Sequence, residues 1–271
     1  MARGAVLIAG LFAVGVPAAT EPLVTTPAYG QLHAWLPLPA FFEDRVVYYN
    51  SYDGPDGAPQ VNAWSADQST DLAFAPDGIR GRCLAPPENA QFRLKSPKLS
   101  LHRALTISFW WSLGRDAALE SAFGLLHVPT QSRGYVSSFV RGKGEWCALE
   151  RPTAVLQVYY FEGIGNENGL YDGGLLDRGD LKAGTWHNTV LVATAGRTLD
   201  LYTDGRSVFR IELRGRPFSE ADGFGEAMFG GSTDPHVRLD EIMILDRALQ
   251  PHEIATYHTA IRQMYEADYP L

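Results

Sequence analysis

A chain of 271 residues, 45% hydrophobic and 20% charged, has globular composition and enough length to bury a sizeable core. Its 31 acidic and 23 basic side chains leave a formal net charge of -8, which argues against a nucleic-acid or anionic-membrane surface.

The first element in chain order is a leader. Arg3 precedes the apolar run Ala5 to Val16, and Val16-Pro17-Ala18 offers a small-residue cleavage site. Residues 1–19 therefore read as a signal peptide, cut after Ala18 or Ala19. The run falls short of the roughly 20 residues that span a bilayer. No cysteine follows it to accept a lipid, and no other segment is apolar enough to cross. The mature chain is expected to be secreted or periplasmic, without a membrane span. Residues 20–45, rich in proline and without periodicity, read as an irregular lead-in to one domain over 46–271.

Short apolar or alternating runs then follow one another: RVVYYNSY, QFRLKS, ALTISFWWSL, FGLLHV, GYVSSFV, AVLQVYYFE, WHNTVLVATA, TLDLYTDG, SVFRIEL and VRLDEIMIL. Turn signals such as DGPDG, GNENG and TDGR separate them. Strands at this spacing, with no helices alternating, indicate an all-β antiparallel sandwich or barrel. AVLQVYY and HNTVLVA are apolar on both faces, so strands covered on both sides are expected. The Asp204-Gly205 pair of TDGR suits a tight hairpin turn, and Trp186 reads as core. One terminal helix is expected after Pro251, with Ile254, Tyr257, His258, Ile261 and Tyr265 forming its apolar stripe. His258 there reads as a core or capping residue.

The strand VRLDEIMIL poses a problem. Simple alternation puts Asp240 on the face of Ile242 and Ile244, where an unpartnered carboxylate is expensive to bury. It needs a donor, a counter-charge or a metal.

Trp186-His187 with Leu191-Val192, Leu199 to Gly205, Phe229 to Ser232 and Leu239 to Ile254 together resemble a laminin G-like domain of the concanavalin A-like jelly-roll superfamily. Tyr48 to Gly54 and Leu105 to Trp111 resemble its earlier strands. The resemblance runs from about Val46 to Tyr265 and implies an antiparallel jelly-roll sandwich. In many such domains the counterpart of Asp240 and a first-strand acid hold a structural calcium ion, which accepts six to eight oxygens. Asp53 is the matching acid, with Asp56 and Asp71 as weaker additions. An ion pair to Arg238 or Arg247, or main-chain donors from a loop, would answer Asp240 equally.

Related hydrolases carry a Glu-x-Asp-x-x-Glu strand, and retaining chemistry sets two carboxyl groups about 5 Å apart. No such triplet occurs, and Glu145 and Glu150 fall on opposite faces of any strand through Trp146. There is no Gly-x-Ser-x-Gly elbow, His-Glu-x-x-His pair or phosphate-cradling loop. No catalytic residue is assigned. In an oxidising compartment Cys83 and Cys147 are expected to bridge, closing a loop of about 65 residues for roughly 4 kcal/mol.

Sugar recognition combines aromatic rings with amide or carboxylate groups. The stretch Glu162 to Gly174, read as a loop, supplies Asn166, Asn168, Tyr171 and Asp172 after the aromatic strand end at Tyr160, and the loop Arg141 to Cys147 supplies Trp146. The expected function is an exported, non-catalytic glycan-binding module. The alternatives are an adhesion or structural module for a protein partner, and a hydrolase or lyase whose site assembles from distant residues.

Overall fold

The computed structural model describes residues 45–53, 57–68, 73–79, 81–87, 90–113, 123–130, 134–141, 153–161, 168–176, 184–212, 218–220, 225–230 and 237–268. Among these residues two antiparallel sheets form. The first runs in the order β14 (Arg206–Glu212), β13 (Thr198–Thr203), β12 (Trp186–Thr194), β7 (Leu105–Leu113), β16 (Val237–Leu245), β1 (Val46–Asn50) and β2 (Val61–Asn62). The short β5 (Cys83–Leu84) pairs both with β16 and with β4 (Phe74–Ala75). The second sheet runs β11 (Asn168–Leu176), β10 (Thr153–Phe161), β9 (Gly134–Arg141), β8 (Phe123–Thr130), β15 (Glu226–Gly230), β6 (Gln91–Lys95) and β3 (Asp67–Gln68). This is an antiparallel sandwich, one of the two architectures that strand spacing indicates, and it agrees with the jelly roll that the resemblance implies.

For HNTVLVA, in β12, the doubly apolar pattern is explained by two buried layers, while the burial of AVLQVYY, in β10, lies outside what the structure describes. Between the sheets, Ile107, Phe109, Trp111, Leu191 and Leu201 meet Phe92, Leu94, Leu126, Val128 and Phe229. Phe109 and Phe229 bridge the sheets edge to face, with ring centroids 5.4 Å apart. On the opposite face of the first sheet, Trp110, Trp186, Val190, Val192 and Met243 pack with Ile254, Tyr257 and Ile261 of helix α1 (Pro251–Asp268). Each such aliphatic burial contributes about 1.5–3 kcal/mol. β7 is consequently buried at all nine positions. Trp111 Nε1, inside the first layer, donates to Thr189 Oγ1 at 2.9 Å, so this buried donor is satisfied.

Local chemistry sets the helix start. Glu253 Oε2 accepts the Gln250 amide at 2.7 Å, and both Glu253 oxygens take the Arg247 guanidinium at 2.8 and 2.9 Å. Burial pushes the Glu253 carboxyl up, but the Arg247 and Gln250 bonds outweigh it and hold the group below its ordinary value. Pro251 fits the first turn, where no amide is needed. No helix among the described residues is long and apolar enough to cross a membrane.

Strict alternation fails in β16. Asp240 pairs with Trp110 and Met243 with Ser108, so Glu241 and Ile242 together oppose the one residue Phe109. Glu241 takes a φ of 49° to make this bulge. The extra residue reverses the parity of the strand. Leu239, Ile242 and Ile244 lie in the layer between the sheets, whereas Asp240, opposite Trp110, lies on the other face with Met243 and Leu245. The expected shared face of Asp240, Ile242 and Ile244 is therefore corrected: they are separated by the bulge.

Candidate functional site

Two places collect the residues singled out by sequence. The first is the turn from Gly78 to Arg82, between β4 and β5. It carries amide donors that meet acids from distant strands. Asp240 is fully buried; its Oδ2 accepts the Ile79 amide at 2.9 Å and its Oδ1 accepts the Glu241 amide at 2.8 Å. Asp53, half-buried just beyond β1, accepts the Arg82 amide on Oδ1 at 2.8 Å. The expected pairing of Asp53 with Asp240 thus has a common structural object, which is this turn. What the two acids are seen to hold is main-chain N–H, the third of the answers left open by sequence. Among the described residues no group of three or more His, Cys, Asp or Glu side chains comes together. A donor set of amides suits carboxylates rather than a cation that needs six to eight oxygens. Asp56 and Asp71 lie outside the described residues.

Cys83 borders the same turn, buried under it. Its thiol is free, 3.7 Å from the Ala75 carbonyl oxygen, and it belongs to the layer beneath α1 rather than to the layer between the sheets. Burial, then the charges of Asp240 and Asp77, push that thiol well up. The expected bridge has no support at this end, and Cys147 lies outside the described residues.

The second place is the outer face of the second sheet. Strand register aligns Arg93 with Met228, Met228 with His127, His127 with Ser137, Ser137 with Gln157, and Gln157 with Asp172. Directly paired residues in antiparallel strands share a face, so these six form one row across β6, β15, β8, β9, β10 and β11. At strand spacing the row spans about 24 Å. It is the outer face, because Arg93 is exposed and Met228 and His127 are half-buried, while their neighbours Phe92, Phe229 and Leu126 are core. Two residues along, Pro129, Tyr135, Tyr159 and Leu170 form a parallel row on the same face. Glu226, beside it, lies 3.7 Å from Arg93 and 4.0 Å from Lys95. Burial lowers the His127 pKa, opposed by the Glu226 charge.

The register sorts the expected ligand residues. Asn168, Tyr171 and Asp172 lie on a strand, β11, and not on a loop as expected. Edge position and the glycines 169, 173 and 174 removed the alternating pattern that would have announced it. Asn168 pairs with Phe161 and shares the face of Asp172. Tyr160 pairs with Gly169 and Tyr171 with Val158, which places both in the opposite register, that of core Val128. Trp146 and Asn166 lie outside the described residues. Arg93, His127, Ser137 and Gln157 were missed, since their common row is a product of register that local sequence does not carry.

Comparison with known proteins agrees with this architecture. The sequence profile of the concanavalin A-like lectin/glucanases superfamily matches residues 87–255, more than half of the chain. A search of curated protein sequences finds no match. Among solved structures, the binding domain of Paraclostridial Mosquitocidal Protein 1 superposes with a TM-score of 0.57 at 15% identity, covering 84% of this chain and 53% of that one. The botulinum neurotoxin serotype D binding domain gives 0.57 at 10% identity, with 81% and 52% covered. This chain thus spans about half the length of those toxin domains. Domain 4 of AbnA, a GH43 extracellular arabinanase from Geobacillus stearothermophilus solved in complex with arabinotriose, gives 0.54 at 16% identity, with 79% of this chain and 98% of that domain covered. The chain belongs to the concanavalin A-like lectin/glucanase superfamily.

Proposed function

We propose that this chain is an exported, non-catalytic module that binds a glycan on the outer face of its second sheet. The observation that carries the reading is the row Arg93, Met228, His127, Ser137, Gln157 and Asp172, with Tyr135 and Tyr159 in the adjoining row. Residue types that carry amide, hydroxyl, imidazole and carboxylate groups, placed by register on one row beside a row that includes two tyrosines, are those that hold sugar hydroxyls and sugar faces. Such a surface needs only to be preformed, whereas hydrolysis needs a positioned acid and base. The arabinanase domain of similar fold was solved with an arabinose oligosaccharide, and in that protein the sandwich accompanies an enzyme. Export rests on the leader at residues 1–19.

Affinity for a short oligosaccharide should fall in the micromolar to millimolar range, about 4–8 kcal/mol. The test is a glycan-array screen followed by calorimetric titration of Gln157→Ala and Asp172→Ala. Each should weaken binding about tenfold, the loss of roughly 1.4 kcal/mol, with the melting temperature kept. Binding that survives both changes but is lost in Trp146→Ala would move the site to the stretch from Arg141 to Cys147. No binding across the panel, or release of cleaved products, would overturn the reading.

A further inference from the structure

We infer that the turn from Gly78 to Arg82 is fastened by this chain's own amides where the laminin G-like resemblance implies a calcium ion. Two acids separated by most of the sequence converge on it, and each spends an oxygen on a main-chain N–H. Asp240 takes Ile79 and Asp53 takes Arg82. Hydrogen bonds from amides to a carboxylate satisfy its charge as a cation would, and they are stronger than neutral ones. The turn closes on itself through the Gly78 amide, which donates to the Gly81 carbonyl oxygen at 3.0 Å.

Sterics agree with that assignment. A Cβ on Gly78 would lie 2.8 Å from Asp240 Oδ2 and 2.6 Å from the Arg82 carbonyl oxygen. A Cβ on Gly81, whose φ is +72°, would lie 2.2 Å from Asp53 Oδ1. The carboxylates therefore press directly against backbone at both glycines. The turn also brings its own cation. The Arg82 guanidinium donates to the Tyr52 carbonyl oxygen at 3.1 Å and lies 4.6 Å over the Phe74 ring. A positive group thus already occupies the neighbourhood of the first-strand acid. Each of these features favours an acid-and-amide clasp over an oxygen cage for a divalent ion.

The experiment is a thermal melt of the full protein in excess calcium and in chelator, with elemental analysis of the purified sample. The clasp predicts one melting temperature in both conditions and calcium below stoichiometric amount. Asp240→Asn and Asp53→Ala should each lower it by roughly 4–10 °C, whether calcium is present or absent, because a buried donor loses its acceptor. Gly81→Ala should act in the same direction through the clash with Asp53. If either acid variant fails to fold, the wild-type comparison decides alone. A higher melting temperature in calcium, or one calcium per chain, would overturn the inference, since a ligand bound only by the folded state must stabilise it.

Discussion

His187 Nδ1 lies 2.9 Å from Asp204 Oδ2, so the turn between β13 and β14 is tied back to the start of β12. The second Asp204 oxygen accepts the Asn188 amide at 2.9 Å. Asp204 and Gly205 adopt φ of 50° and 72°, the left-handed pair of a tight hairpin turn. Asp204 therefore serves both as a turn residue that tolerates this conformation and as an acceptor for two donors of the neighbouring strand. Asp204→Ala should destabilise by about 1–3 kcal/mol in urea unfolding, because both donors lose their acceptor. Asp204→Asn keeps one oxygen and the turn preference, so its loss should be clearly smaller. Equal losses would mean that turn preference, which Asn retains, contributes nothing and that the two-oxygen carboxylate carries the whole effect.

The same node makes stability depend on pH. His258 of α1 stacks on Trp110 with centroids 5.4 Å apart and faces Asp204, Arg206, Arg262 and His187. Burial lowers its pKa; Asp204 opposes, and the two arginines and His187 add to the lowering. A depressed imidazole favours the neutral form in the fold. Its contribution is complete above the unfolded value of about 6.5 and is lost as pH falls through the folded value. Asp204 and Glu253 are held below their ordinary values, despite the burial that raises them, by His187 and Arg247 respectively. Their contribution is present above about pH 4 and is lost on further acidification. The melting temperature should thus fall in two stages between pH 8 and pH 3. His258→Phe, which keeps a ring on Trp110, should flatten the upper stage and leave the lower one. An unchanged upper stage would remove His258 as its source.

Much of this architecture is written locally. The TDGR turn, the stripe of Ile254, Tyr257 and Ile261, and the buried Trp186 follow from residue types at short spacing, and each stands where that spacing placed it. The clasp and the outer row do not. Asp240 meets Ile79 across 161 residues and Asp53 meets Arg82 across 29, so nothing near either acid names its partner. One bulge at Glu241 also inverts the faces of β16, and no residue type there announces it, since glutamate rarely takes a positive φ. β11 was legible only as polar and glycine-rich, which is equally the signature of a loop.

Glu241, fully buried at that bulge, accepts a short hydrogen bond from the Tyr49 hydroxyl. A buried carboxylate that loses a donor is costly, whereas removing the hydroxyl alone leaves the ring packing of Tyr49 in the layer under α1. Tyr49→Phe should therefore lower stability by about 1–3 kcal/mol at neutral pH, read from the urea midpoint at constant slope. The loss should shrink in the Glu241→Gln background, where the acceptor is a neutral amide. A loss of the same size in both backgrounds would assign the effect to the hydroxyl and not to the pair.

The last prediction concerns Cys83. It belongs to the buried layer that also holds Tyr49, Ile79, Trp110 and Met243, and its sulfur lies 3.7 Å from the Ala75 carbonyl oxygen. Nucleophilic attack requires thiolate, and here burial and two nearby acids all disfavour it. The folded protein should therefore react negligibly with a thiol reagent at pH 8, although the group is chemically free. Unfolding in denaturant without reductant should expose it at once. The rate in the native state then reports opening of the turn, so Asp240→Asn should accelerate it well beyond the wild-type value while Asp172→Ala should not. Fast labelling of the native protein would contradict the burial of this layer. Absence of any thiol after unfolding would show that Cys83 is bridged, and would require the sulfur to leave the layer under α1 to reach its partner.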